Sequence, residues 1–195
     1  MPSDWEERYR TRDTPWDKGA PHPALIDYIK SNPVHGRVLV PGCGLGHDVR
    51  ALAATADEVV GLDIAPSAIK DAKACPSVGG ERYLLGDFFD LPRSLRGSFD
   101  VVFEHTCFCA IDPARRPDYV EAVTTALLPG GHLLAVFYLD PGLDPGETGP
   151  PFGVTRPELD ALFSSRFAIV EEWTPQMTYP GREGRETCRV MQLRP

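Results

Sequence analysis

Between residues 37 and 138 the chain alternates short apolar, β-branched runs with stretches of helical spacing, and that alternation leaves few folds open. Arg37-Val38-Leu39-Val40 runs into Pro41-Gly42-Cys43-Gly44-Leu45-Gly46, after which Val49, Leu52, Ala53 and Ala56 recur at helical spacing. This reads as strand, glycine turn, helix. Glu58-Val59-Val60-Gly61-Leu62-Asp63 predicts a second strand with a helix over 67–74, and Tyr83-Leu84-Leu85 a third strand before Asp87. Phe99-Asp100-Val101-Val102-Phe103-Glu104 is a fourth, followed by a helix over 115–128 that Pro129-Gly130-Gly131 stops. His132-Leu133-Leu134-Ala135-Val136-Phe137-Tyr138 suits a strand buried on both faces, as parallel sheets require. Strands alternating with helices predict a doubly wound, mostly parallel α/β sheet with helices on both faces.

The flanks complete this picture. Leu25, Ile26 and Ile29 share one face of a helix over 23–31, which Pro33 closes and an N-terminal arm precedes. Beyond a Pro- and Gly-rich loop at 141–153, a helix over 156–165 leads to strands over 167–173 and 185–193. Their short connection makes them an antiparallel hairpin and brings the sheet to seven strands. A length of 195 residues with no linker-like segment predicts one domain over 1–195, with residues 1–33 as an arm and helix over the ligand edge.

A net charge of −8 without a basic run argues against a nucleic-acid partner and leaves a small molecule as the substrate. With no membrane-length apolar stretch and no signal-peptide core, the chain is expected in the cytoplasm, as a monomer or weak homodimer. Cys43, Cys75, Cys107, Cys109 and Cys188 have no CxxC spacing, so reduced thiols are expected and no metal site is assigned. At strand spacing Cys107 and Cys109 would point the same way, which suits either plain packing or a soft metalloid.

The chemistry collects at strand ends. Gly42, Gly44 and Gly46 let backbone approach a ligand where strand turns into helix. Asp63, with Ile64 beside it, lies about 20 residues further on, where a carboxylate accepts from two ribose hydroxyls or caps the helix that follows. Asp87 is either a turn residue or the acceptor for an adenine amino group, with Phe88 or Phe89 against the ring. Glu104 and His105 end the fourth strand as candidate catalytic residues, Glu104 also as a cofactor contact. His105 is either a base, since imidazole titrates near about 6.5, or part of the pocket wall.

Thr14-Pro15-Trp16-Asp17-Lys18-Gly19, Val38-Leu39-Val40-Pro41-Gly42-Cys43-Gly44-Leu45-Gly46-His47-Asp48-Val49, Val60-Gly61-Leu62-Asp63-Ile64, Gly86-Asp87-Phe88-Phe89 and Gly149-Pro150-Pro151-Phe152, in this order, resemble the plant halide/thiol methyltransferases and their bacterial relatives. These belong to the thiopurine S-methyltransferase superfamily. The resemblance implies a Rossmann-like class I methyltransferase fold that binds S-adenosylmethionine and releases S-adenosylhomocysteine. It further implies a glycine turn for the methionine part, Asp63 for the ribose, Asp87 and Phe88 for the adenine, and Trp16 as a cover. The fourth strand departs from the plant pattern, reading Glu104-His105-Thr106-Cys107-Phe108-Cys109 where that family tends to carry aromatics. The expected reaction is methyl transfer to a small soft nucleophile, foremost a thiol. Transfer to a halide or to selenium, tellurium or arsenic species, and non-catalytic binding of the cofactor, are the alternatives.

Overall fold

The seven strands are β1 (Arg37–Pro41), β2 (Glu58–Asp63), β3 (Glu81–Leu85), β4 (Phe99–His105), β5 (Leu127–Tyr138), β6 (Phe167–Trp173) and β7 (Glu186–Leu193). In this computed structural model, which describes residues 4–144 and 146–195, they form one sheet in the order β3-β2-β1-β4-β5-β7-β6. Residues 1–3 of the expected arm and Pro145 of the Pro- and Gly-rich loop lie outside the described residues. β1 to β5 run parallel, and β7 enters between β5 and β6 antiparallel to both.

The two-residue period of a strand divides the core. Leu39, Val102, Leu133 and Ala135 face α5 (Arg116–Ala126) and α6 (Arg156–Phe163), where Tyr119, Val123, Leu159 and Phe163 are buried. Val38, Val40, Phe103, Leu134 and Val136 face the other way. There they meet Leu25 of α2 (Pro23–Ser31), Val49 and Leu52 of α3 (His47–Leu52), and Ile69 of α4 (Pro66–Ala74). No helix among the described residues is long and apolar enough to cross a membrane.

Two boundaries differ from expectation. The fifth helix stops at Ala126 because Leu127 already pairs with Phe99. Pro129-Gly130-Gly131 therefore lies inside β5, as an irregularity after which Val101 pairs with His132. The arm also holds a helix that apolar periodicity did not announce, α1 (Trp5–Thr11), which buries no residue fully. Asp4 caps it by accepting from the Glu7 N–H at 3.0 Å.

Candidate active site

The ends of β1, β2 and β4 converge at one edge of the sheet, where the chain leaves β1 through the glycine turn. Gly42, Gly44 and Gly46 all have positive φ, at 60°, 51° and 74°. A Cβ on Gly46 would collide with the Tyr83 ring, so close packing against that ring by itself requires glycine at this position. Gly42 and Gly44 line the cleft beside Trp16, Asp48, His105 and Tyr179.

Asp63 closes the turn from below. Its carboxylate accepts from the Gly44 N–H and the Ala65 N–H, both at 2.9 Å, and is only 6% exposed. Burial raises its pKa against the pull of these N–H donors. Ile64 and Leu85, 54% and 57% exposed, form an apolar rim beside it, and Leu85 pairs in register with Asp63. Asp87 is exposed and accepts from the Phe89 N–H at 2.9 Å. Phe88 is buried against Tyr119 and Phe89 lies half-buried under Arg115 at 4.0 Å, whereas Ile64 and Leu85 are exposed apolar side chains at this edge, Leu85 being one that sequence reasoning missed.

The arm lies across this edge. Trp16 meets Trp5 and Tyr9 edge-on at 5.3 and 5.7 Å, and its Nε1–H donates to the Tyr9 hydroxyl at 3.2 Å. That hydroxyl sits 2.8 Å from where a Cβ on Gly44 would be, so glycine there admits the arm as well as a ligand. Glu6 accepts from the Ser67 N–H at 2.9 Å and the Ser67 hydroxyl at 2.7 Å. It thereby caps α4, whose own N-cap residue, Ala65, makes no side-chain cap. Asp17 reaches His47 of α3 at 3.2 Å.

Consecutive strand residues point to opposite faces, and this separates the two expected catalytic side chains. Glu104 follows Val102 toward α5, away from the cleft. It is 1% exposed, accepts from the Phe108 N–H at 2.8 Å, and accepts from the Tyr119 hydroxyl in a short hydrogen bond. Its carboxylate therefore ties β4 to α5 and reaches no ligand surface, contrary to its expected catalytic and cofactor roles. Burial pushes its pKa up to about 7. Folded Glu104 thus keeps a proton that an unfolded glutamate loses near 4.5, so its contribution is full below that value and is lost as pH rises through about 7. At about 1.4 kcal/mol per unit the loss is on the order of 3 kcal/mol. Melting at about pH 5 and about pH 8 is expected to show wild type losing ground to Glu104→Gln at the higher pH. A difference between the two that does not change with pH contradicts this assignment.

His105 follows Phe103 to the opposite face and meets α3. Its Nδ1 lies 2.8 Å from Asp48 Oδ2, while Asp48 Oδ1 accepts from the His22 N–H at 2.8 Å. Burial opposes the charge on Asp48, but His105 and the His22 N–H outweigh it and hold the carboxyl below its usual range. An ionised Asp48 is acceptor only, so His105 Nδ1 carries the proton. Its Nε2 is buried with no hydrogen-bond partner among the described residues. The neighbouring His22 has the reverse tautomer: Nδ1 accepts from the Ala24 N–H at 3.1 Å, and Nε2–H donates to Glu186 at 3.1 Å. Burial lowers the His22 pKa despite that carboxylate. Asp48, His22 and Tyr179 were not singled out from sequence. The Gly-His-Asp-Val run after the glycine turn was the available signal for Asp48.

The Cys107 and Cys109 expectation is corrected. The strand ends at His105 and residues Phe108–Ala110 form a 3₁₀ turn, so strand alternation does not apply. Cys107 packs against Gly42 and the Cys109 thiol donates to the Thr106 carbonyl at 3.6 Å. Burial pushes the Cys107 thiol up and the Cys109 thiol to about 12, so both stay protonated. No cluster of three His, Cys, Asp or Glu side chains fit to hold a metal ion occurs among the described residues. The Gly-Pro-Pro-Phe loop does meet this segment, through the Phe152 N–H to the Cys109 carbonyl at 2.7 Å. Arg116 donates to the Gly153 carbonyl at 2.8 Å and lies over the Phe108 ring at 4.9 Å, holding loop and turn together.

The sequence model of the family described as "Thiopurine S-methyltransferase (TPMT)" matches residues 1–187. The chain is 36% identical over 189 residues to "Thiocyanate methyltransferase 1" of Brassica oleracea, covering 93% of this chain and 81% of that protein. It is 35% identical over 163 residues to "Probable thiol methyltransferase 2" of Arabidopsis thaliana, covering 81% and 70%. In fold it is similar to the Burkholderia thailandensis 1,6-didemethyltoxoflavin-N1-methyltransferase, solved with bound S-adenosylhomocysteine. That similarity has a TM-score of 0.72 and 18% identity, covering 98% of this chain and 86% of that one.

Proposed function

We propose, for a chain that belongs to the thiopurine S-methyltransferase family and is therefore an S-adenosylmethionine-dependent methyltransferase, that the methyl group goes to a small thiol or related sulfur nucleophile. The observation that carries this reading is the Nε2 of His105, left without a hydrogen-bond partner among the described residues while Asp48 holds Nδ1, on a residue that lines the cleft beside the glycine turn. Names of the plant relatives, which specify thiol and thiocyanate, point to the same acceptor class.

The residues present fit the cofactor. Gly42 and Gly44 bring main chain to the cleft for its methionine part, Asp63 a carboxylate for the ribose, and Asp87 an exposed acceptor for the adenine amino group. Ile64 and Leu85 supply an apolar face for the ring, and Trp16 with Tyr9 forms the cover. When bound, the cofactor supplies a methyl group already activated by its sulfonium. The protein has to align the acceptor sulfur, keep water away and accept its proton. His105 Nε2 takes the S–H proton, and the Asp48 carboxylate stabilises the imidazolium that results. The acceptor is placed at the cleft that His105 and Thr106 line with Trp16, Asp48 and Tyr179. A net charge of −8 without a basic stripe supports a small-molecule acceptor, and the cytoplasmic location and monomeric or weakly dimeric state stay as expectations from sequence.

Turnover of a panel of acceptors tests the reading. Small thiols are expected to be methylated, and in the absence of the His105 base the rate is expected to rise toward the ordinary thiol pKa of about 8.5. Preferential methylation of catechols or carboxylates overturns it. The arm carries a further expectation. Because Glu6, Tyr9, Trp16 and Asp17 tie it to the cofactor edge, hydrogen exchange over residues 5–19 is expected to slow when S-adenosylhomocysteine is added. Exchange that is equally slow with and without the ligand makes the arm a static strap.

A further inference from the structure

We infer that Asp48 is the positioning residue of the reaction, fixing the tautomer and aim of His105. The inference rests on the reading of His105 as the base. Its ground is the way the Asp48 carboxylate is divided. One oxygen holds His105 Nδ1 at 2.8 Å, and the other is held at 2.8 Å by the main-chain N–H of His22, where the arm enters α2. Asp48 itself stands in the first turn of α3, directly after the glycine turn. A single half-buried carboxylate thus joins the start of α2, the glycine turn and His105.

No other carboxylate competes for His105 among the described residues. The groups packed on its ring are His22, edge-on at 4.6 Å, and Tyr179 at 6.0 Å, from the segment between β6 and β7. His22 cannot take over the role of Asp48, because its Nδ1 is engaged by Ala24 and its Nε2–H by Glu186. Glu186 is in turn neutralised by Arg182 at 3.1 Å, and Tyr179 is anchored by donating to the Ala20 carbonyl at 2.6 Å. Glu104, adjacent in the chain, lies on the opposite face of the sheet. Tyr179 and His22 wall the ring in, and Asp48 alone decides which nitrogen is protonated.

The consequence is specific. With Asp48 ionised, the Nδ1–H form is favoured and Nε2 keeps its lone pair, and the carboxylate stabilises the cation once a proton arrives. Asparagine at this position keeps the shape but removes the charge, and it allows the ring to turn or to protonate at Nε2.

Two measurements test this, and only one requires turnover. Nitrogen-15 spectra of histidine-labelled wild type are expected to show His105 protonated at Nδ1 and bare at Nε2 above neutral pH. Protonation at Nε2 instead overturns the inference whether or not any variant folds. In thiol methylation, Asp48→Asn is expected to lower kcat about tenfold or more near pH 7. The acidic limb of its pH–rate profile is expected to move to lower pH, with S-adenosylhomocysteine affinity changed by less than about twofold. An unchanged profile in an active variant overturns the role of Asp48 and leaves the thiol reading standing. A wild type that methylates no thiol removes that reading, while the nitrogen-15 result still judges the Asp48–His105 arrangement.

Discussion

Asp63→Ala is expected to weaken S-adenosylhomocysteine binding by about tenfold to a hundredfold, since each charge-assisted hydrogen bond contributes about 1.5–3 kcal/mol. Part of the loss is indirect. Asp63 also holds the Gly44 and Ala65 N–H groups, so alanine loosens the turn as well as removing the ribose acceptor. An analogue lacking the ribose 2′-hydroxyl separates the two contributions in a double-mutant cycle. With that analogue the penalty of Asp63→Ala is expected to shrink, because one of the lost contacts was never made. Equal penalties for both ligands leave Asp63 as a turn lock only, and unchanged affinity in the folded variant removes the ribose assignment.

His105→Ala is expected to lower thiol methylation about a hundredfold near pH 7 and markedly less near pH 9, because thiolate formed in solution bypasses the base. The shape of this dependence matters more than its size. A thiol with an ordinary pKa of about 8.5 is mostly protonated at neutral pH, so a missing proton acceptor limits the rate there. Equal losses at both pH values assign His105 to the pocket wall beside His22 and Tyr179. Cofactor affinity is the control in either case, since His105 has no place among the residues assigned to cofactor contact.

The features legible in sequence were those set by local periodicity. Strand runs, the glycine turn and the position of Asp63 at a strand end follow from alternation along the chain, and they place the cofactor edge. The C-terminal hairpin was legible from its short connection, but the insertion of β7 between β5 and β6 was not, because pairing partners distant in sequence leave no local mark. The same reasoning explains the treatment of Glu104 and His105. Their adjacency suggested one site, yet a strand sends neighbours to opposite faces, so one became a buried tie to Tyr119 and the other met Asp48. Phe88 or Phe89 was expected against the adenine on its chemistry alone, and packing against Tyr119 buried Phe88. His22 and Tyr179 carry no local signal, since they reach His105 from opposite ends of the chain. Cys107 and Cys109 misled because a strand was extended past His105, where the backbone turns into a 3₁₀ segment.

Where the methyl group ends up decides between sulfur and every other acceptor. Incubating the purified protein with S-adenosylmethionine carrying a carbon-13 methyl group and an acceptor that offers both a thiol and a hydroxyl, such as mercaptoethanol, gives one product that carbon-13 spectra and mass read directly. The expected result is the labelled carbon bonded to sulfur, with one equivalent of S-adenosylhomocysteine released per methyl transferred and none released without the acceptor. Label on oxygen, or release of S-adenosylhomocysteine with no labelled thioether, contradicts methyl transfer to a thiol.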